Sequence, residues 1–233
     1  MSSKNFSNFW LAITSQKEAK ARALNVLRPL NKYNKKAKKV LELGVGIGTV
    51  LQYFPKKYEI SGLDILPENI KICKKKLSRG NFYVSSMHNF RIPEKFDVIF
   101  CVFDSINFLK DFRQWQSTFK SVLNHLNPKG LFIFDMYTKK ALKDFKKSTP
   151  NITEFSMGYT YDKPIILGNK LTWDYGVFER LPSGLYKFHK YKWTEAIYTI
   201  PKVKIEISKH FRIFETHFMD KNRRILFVCK KKE

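Results

Sequence analysis

Acidic side chains are scarce in this chain: 20 aspartates and glutamates stand against 44 lysines and arginines, a net charge of +24 over 233 residues. An excess of that size lies outside ordinary globular composition and makes nucleic acid a partner to be weighed. Cysteine is sparse too. Cys73, Cys101 and Cys229 are odd in number and lack metal-ligand spacing, which argues against a disulfide framework or a bound metal and describes a reduced, cytoplasmic protein. No apolar run approaches the ~18 residues of a membrane span, and Met1-Ser2-Ser3-Lys4-Asn5 opens no secretory core. There is neither an internal repeat nor a low-complexity linker. What remains is 43% hydrophobic content, in a length that buries one α/β core and carries an insertion.

The densest signal is Val40-Leu41-Glu42-Leu43-Gly44-Val45-Gly46-Ile47-Gly48-Thr49-Val50, an apolar strand with one carboxylate that runs into a glycine turn and then a helix. Glycine at 44 and 46 permits a positive φ and leaves no Cβ between the backbone and a ligand. A dinucleotide fingerprint wants Gly or Ala three residues after the second glycine. Thr49 stands there instead, and the glycines read G-x-G-x-G. Glu42 aims a negative charge at the turn, which repels a pyrophosphate and attracts a cationic ligand. A second apolar strand over residues 58–63 ends in Asp64, at the separation from Gly44 expected of a carboxylate that binds ribose hydroxyls.

Downstream, Pro67 opens a helix through Leu77. A third strand over residues 81–84 precedes Ser85-Ser86-Met87, residues 96–103 read as a buried fourth strand, and Leu126-Asn127-Pro128-Lys129-Gly130 turns into a fifth that reaches Asp135. Alternating strands and helices predict parallel pairing through right-handed crossovers, with the ligand at the carboxyl edge of the sheet.

The glycine turn with Glu42 before it, Asp64 after the second strand, and the phrase L-x-P-x-G before an apolar strand together resemble the class I S-adenosylmethionine-dependent methyltransferases. The likeness runs in motif order over about residues 38–136 and is closest in appearance to the small-molecule branch that methylates sugar amines and glycine. It implies a Rossmann-like, doubly wound sheet of seven mostly parallel strands with an antiparallel last strand. S-adenosyl-L-methionine is the implied cofactor and S-adenosyl-L-homocysteine the product. Cofactor contacts are implied for Glu42, Gly44, Val45, Gly46, Gly48, Asp64, Ile65, Ser86, Met87, Cys101 and Phe103, with Ser86 where the family often has an acid against the adenine amino group.

Past Asp135 the pattern changes. A Lys-rich helix over residues 138–147 leads to an antiparallel β-hairpin of residues 171–180 and 186–193 around Leu181-Pro182-Ser183-Gly184. A helix beginning near Thr194-Glu195 and strands over 211–218 and 224–229 complete the expected sheet. The chain thus divides into an N-terminal helical lid (1–37, with Phe9, Trp10 and Tyr33 as lid aromatics), a cofactor-binding core (38–136), a hairpin insertion for substrate or dimer contacts (137–193) and a C-terminal part (194–233). Trp173, Tyr175, His189, Tyr191 and Trp193 either wall the reactive methyl or pack the sheet. The candidate catalytic residues are His189, Tyr191 and Asp104. An imidazole orients a hydroxyl or accepts its proton, and Asp104 follows the fourth strand, where the family contacts methionine and substrate, with turn capping the alternative. Asp97, at the start of that strand, reads as structural.

The lysines cluster at 35, 36, 38 and 39 and at 230–232, both at the edge expected to lie opposite the site, while Lys74, Lys75 and Lys76 close a helix where cations favour the dipole. After the fourth strand Val102-Phe103-Asp104-Ser105 replaces the N/D-P-P-Y/F box of enzymes that methylate base amino groups. The reading that follows is in-line methyl transfer to a nitrogen or oxygen of a small molecule by a monomer or homodimer. Two rivals remain: a nucleic-acid-binding or RNA-modifying protein that uses the basic surface, and an NAD-linked oxidoreductase, for which Glu42 has no role.

Overall fold

The computed structural model describes residues 15–155 and 158–232. In chain order, α1 (Gln16–Tyr33) precedes β1 (Lys39–Leu43), β2 (Glu59–Asp64), α2 (Pro67–Lys76), β3 (Asn81–Val84), β4 (Phe96–Cys101), α3 (Phe112–His125) and β5 (Leu126–Tyr137). Then come α4 (Lys139–Lys146), β6 (Asn151–Phe155), β7 (Gly158–Leu167), β8 (Lys170–Arg180), β9 (Tyr186–Ala196), α5 (Ile200–Ile207), β10 (Phe211–Met219) and β11 (Arg224–Lys231). No helix among the described residues is long and apolar enough to cross a membrane.

The main sheet has seven strands in the order β10-β11-β5-β4-β1-β2-β3. β1 to β5 are parallel, and β11 runs antiparallel to both β5 and β10. The expected doubly wound sheet with an antiparallel last strand is what forms. The chain leaves β1 towards β2 and β3, then returns to the other side for β4 and β5, which opens a crevice at the carboxyl ends of β1 and β4. Both faces of the central strands are covered, so these strands are apolar almost throughout. Leu41, Leu43, Ile99, Phe132 and Phe134 bury one face, whereas Val40, Val98, Phe100, Leu131 and Ile133 bury the other. On the first face Phe134 stacks on Phe132 at 4.9 Å and on Phe227 at 4.8 Å, and Phe119 of α3 closes over them.

α1 lies on the second face through Val26, Leu27 and Leu30. It runs from the carboxyl edge, where Arg22 meets Asp220, towards the amino edge, where Asn34 reaches the Asp97 carbonyl oxygen at the start of β4. Tyr33 therefore sits away from the glycine turn and bonds Glu215, a correction to its expected place in a lid. Phe9 and Trp10 lie outside the described residues.

Four expectations change. The insertion is a four-stranded antiparallel sheet, β6-β7-β8-β9, rather than a hairpin. β6 is exposed along almost its whole length and shows no alternation, and Pro164 makes β7 read as no strand. The proline is tolerated because β6 pairs with β7 only as far as Asp162, so residue 164 lies where that side of β7 is an edge. The helix expected near Thr194 begins at Ile200, capped by the Thr199 hydroxyl and started by Pro201, so Glu195 lies on a strand. Only a short 3₁₀ turn, Leu51–Tyr53, follows the glycines, and Pro55 blocks its extension. β4 stops at Cys101, and residues 102–104 form the first part of the site.

Candidate functional site

Two acids frame the glycine turn. Gly44, Gly46 and Gly48 all have positive φ, 68°, 53° and 75°. A Cβ on Gly44 would stand 3.0 Å from Ser105 Cβ and 3.3 Å from Met87 Cε, so the turn is pressed against the segment that follows β4. Asp64 at the end of β2 holds it in place. Its Oδ2 accepts from the Gly46 N–H at 2.9 Å, and its Oδ1 accepts from the Leu66 N–H at 2.9 Å and from Asn69 Nδ2 at 3.1 Å. Burial pushes its pKa up, and these donors pull it back. Beside it Ile65 is 67% exposed, an apolar side chain left standing at the rim.

Glu42 is more unusual. It is 3% exposed and its Oε2 has no hydrogen-bond partner, a state that costs about 1–3 kcal/mol for a buried acceptor. Burial, with the Asp64 charge adding to it, pushes its pKa well above the ordinary carboxylate range. Across β2, Gly62 faces Glu42 in register, and a Cβ there would come within 2.7 Å of Val45 Cγ2. The floor of the turn is therefore closed by bare backbone.

A second set of charges lies next to the turn. Phe103 and Asp104 are consecutive non-glycine residues in the left-handed region, φ 59° and 51°, a strain of about 1–2 kcal/mol each. The two N–H groups form a nest around the Asp135 carboxylate at the end of β5, at 3.2 Å from Phe103 and 2.5 Å from Asp104. Arg22 stands 3.9 Å from Asp135 and bonds Asp220 at 2.9 Å. Arg224 donates from Nε to Asp104 at 2.7 Å, from Nη1 to Asp220 at 2.5 Å and from Nη2 to the Tyr137 hydroxyl at 2.8 Å. Burial raises the Asp104 pKa to about 6 against the pull of Arg224.

The insertion contributes Glu195, near the end of β9 and 2% exposed. Its Oε1 accepts from the indole N–H of Trp173 at 3.2 Å and of Trp193 at 3.3 Å, while Oε2 has no partner. Burial, then the Asp104 charge, pushes its pKa well up. Asn107 ties this strand to the core, donating to the Ala196 carbonyl oxygen at 2.8 Å and accepting from the Tyr137 N–H at 3.0 Å.

The structure brings Glu42, Gly44, Val45, Gly46, Asp64, Ile65 and Met87 together around the turn, and places Phe103 and Asp104 beside it. Gly48 is pressed on α2, where a Cβ would meet Cys73 Sγ at 2.8 Å. Ser86 hydrogen-bonds His88 Nδ1 at 2.6 Å, Phe103 lies under the Arg22 guanidinium at 5.3 Å, and Cys101 is a buried thiol whose pKa burial drives well up. His189 and Tyr191 are not brought to the turn. His189 pairs with Glu179 at 2.8 Å, six residues before Glu195 and hence roughly 20 Å up the strand, and Tyr191 packs with Val177 inside the insertion. Asp97 accepts from the N–H groups of Lys38 and Lys39 and from Asn127, tying strands at the far edge. Sequence reasoning missed Arg22, Asp135, Glu195 and Arg224. Asp135 carried the signal that found Asp64, an acid at the carboxyl end of a buried strand. Among the described residues no group of His, Cys, Asp and Glu side chains is arranged to hold a metal ion.

Residues 40–130 match the methyltransferase-domain family. A dTDP-3-amino-3,4,6-trideoxy-alpha-D-glucopyranose N,N-dimethyltransferase of Streptomyces venezuelae is 24% identical over 120 residues, 51% of each chain. The chain thus spans about half the length of that curated relative. An S-adenosylmethionine-dependent methyltransferase from Clostridium acetobutylicum superposes with a TM-score of 0.86 at 19% identity over 98% of both chains. An amino pentose methyltransferase from Micromonospora echinaspora does so with 0.77 at 15% identity over 92% of both. These structural likenesses establish the fold.

Proposed function

Taking as premise that the chain carries an S-adenosylmethionine-dependent methyltransferase domain of class I fold, we propose that it methylates an amino nitrogen of a small molecule. The observation that carries the reading is the buried, unpartnered Oε2 of Glu42 beneath a turn of bare backbone, next to an Asp64 carboxylate already fixed by backbone donors. Two acids in that place repel a pyrophosphate and suit a ligand with a cationic amino-acid end, a sulfonium and ribose hydroxyls. Glu42 and the glycine turn would hold the amino-acid end, Asp64 the ribose, and Ile65 and Met87 the adenine faces. When bound, S-adenosylmethionine supplies a methyl group already activated on a positively charged sulfur. The protein's own work is then to orient the acceptor, exclude water and manage one proton.

Nitrogen is favoured over oxygen by the acids that crowd the carboxyl edge of the sheet and by the relatives named for methylating amino sugars. Transfer of a tritiated methyl group to paired acceptors, each amino compound beside its hydroxyl analogue, tests the choice. Label is expected in amines and not in their hydroxyl counterparts, and label in the hydroxyl members alone would contradict it.

A further inference from the structure

We infer that Glu195 takes the proton of the methyl acceptor, receiving its ammonium group between Oε2 and the Asp104 carboxylate. This rests on the N-methylation reading given above. Four carboxyls, those of Asp104, Asp135, Asp220 and Glu195, gather at the carboxyl edge against two guanidiniums, Arg22 and Arg224. Both arginines are committed: Arg224 to Asp104 and Asp220, Arg22 to Asp220 and Asp135. None of the described cations makes an ion pair with Glu195. Two neutral indole donors fix its Oε1 and leave Oε2 buried without a donor. In a molecule of net charge +24, a cationic acceptor is repelled almost everywhere, and this local acid excess is where it gains.

Contact with the reacting region runs through few links. Gly44 presses on Ser105, and Asn107, two residues further on, donates to the carbonyl oxygen of Ala196 at 2.8 Å, the residue next to Glu195. The ammonium passes one proton to Glu195 Oε2, which leaves a nitrogen lone pair. That pair forms the N–C bond as the carbon–sulfur bond breaks with its electrons left on sulfur. The product nitrogen carries the positive charge that sulfur held, and the proton on Glu195 returns to water when product leaves. Burial favours the protonated form of Glu195 while the site is empty, and the charge of an arriving ammonium favours the carboxylate that then takes the proton.

The test needs no knowledge of the natural acceptor. Wild type and Glu195→Gln, which keeps an oxygen for the two indoles, are titrated calorimetrically at neutral pH with three probes. These are S-adenosylhomocysteine, an adenosyl cofactor analogue bearing a 2-aminoethyl arm in place of the methyl, and its 2-hydroxyethyl counterpart. Wild type is expected to prefer the amino arm by about tenfold or more, the difference between a charge-assisted and a neutral hydrogen bond. Glu195→Gln should lose that preference with S-adenosylhomocysteine affinity unchanged, and Glu195→Asp, which withdraws the charge by one methylene, should keep part of it. Equal binding of the two arms by wild type, an undiminished preference in Glu195→Gln, or loss of S-adenosylhomocysteine binding in the variant would overturn the assignment. If wild type binds none of the three probes, the cofactor reading itself fails.

Discussion

At the scale of single residues, Glu42 is a buried acid with an oxygen left unpartnered. Its folded pKa stands above its unfolded value, so the folded protein keeps a proton that the unfolded chain has released. The stability tied to this site is full below the unfolded carboxylate pKa of about 4.3 and declines as pH rises towards the elevated folded value. Glu42→Gln removes that decline. Without ligand the variant should be more stable than wild type by about 1–3 kcal/mol at pH ~8, with the gap closing below pH ~4, in thermal melts across pH. Glu42 and Asp64 were legible in the sequence because each is a lone acid at the end of an apolar strand beside glycines. Glu195 was not, since a glutamate after Thr194 reads equally as the start of a helix. Arg22 and Arg224 lie far apart in the chain, and nothing local marks them as partners of one acid cluster.

At the scale of elements, the bend after β4 matters as much as the glycine turn. The strain at Phe103 and Asp104 is offset by the Asp135 carboxylate, which also faces Arg22. Asp135→Ala should cost about 2–5 kcal/mol by denaturant titration, because it leaves the Phe103 and Asp104 amides without their acceptor and takes one of two carboxylates from Arg22, which keeps Asp220. Gly44→Ala should cost about 1–2 kcal/mol in left-handed strain. It should also weaken S-adenosylhomocysteine binding, since the new Cβ meets Ser105 and disturbs the turn. The central strands were readable because burial on both faces writes a continuous apolar run. β6 was not, because it is exposed almost throughout, and β7 was not, because Pro164 interrupts a strand whose half-burial otherwise alternates. The same half-burial makes β8 and β9 legible where Trp173, Tyr175, Tyr191 and Trp193 turn one way.

At the scale of the whole molecule, part of the basic charge lies far from the glycine turn. Lys95, Lys231 and Lys232 donate to the Asn124, Leu123, Leu126 and Ser208 carbonyls where α3 and α5 end, at the amino edge of the sheet and away from the glycine turn. There they cap helix dipoles. A net charge of +24 still repels itself, so added sodium chloride should raise the melting temperature of the ligand-free protein through the range where screening sets in, and a melt that ignores salt would speak against it. The fold class could be read from strand order, and the turn at the carboxyl edge of the sheet from the placement of glycines and acids. The acid cluster with its two arginines could not, because it is assembled from α1, β5, β9 and β11 only once the chain has folded.

The central claim is that Glu42 and Asp64 frame a site for S-adenosylmethionine. The most direct measurement is a calorimetric titration of wild type, Glu42→Gln and Asp64→Ala with S-adenosylmethionine and S-adenosylhomocysteine, each variant first shown to be folded. Binding by wild type that either substitution weakens by about tenfold or more is the expected result. Folded wild type that takes up neither compound, or variants that bind as wild type does, would contradict the account.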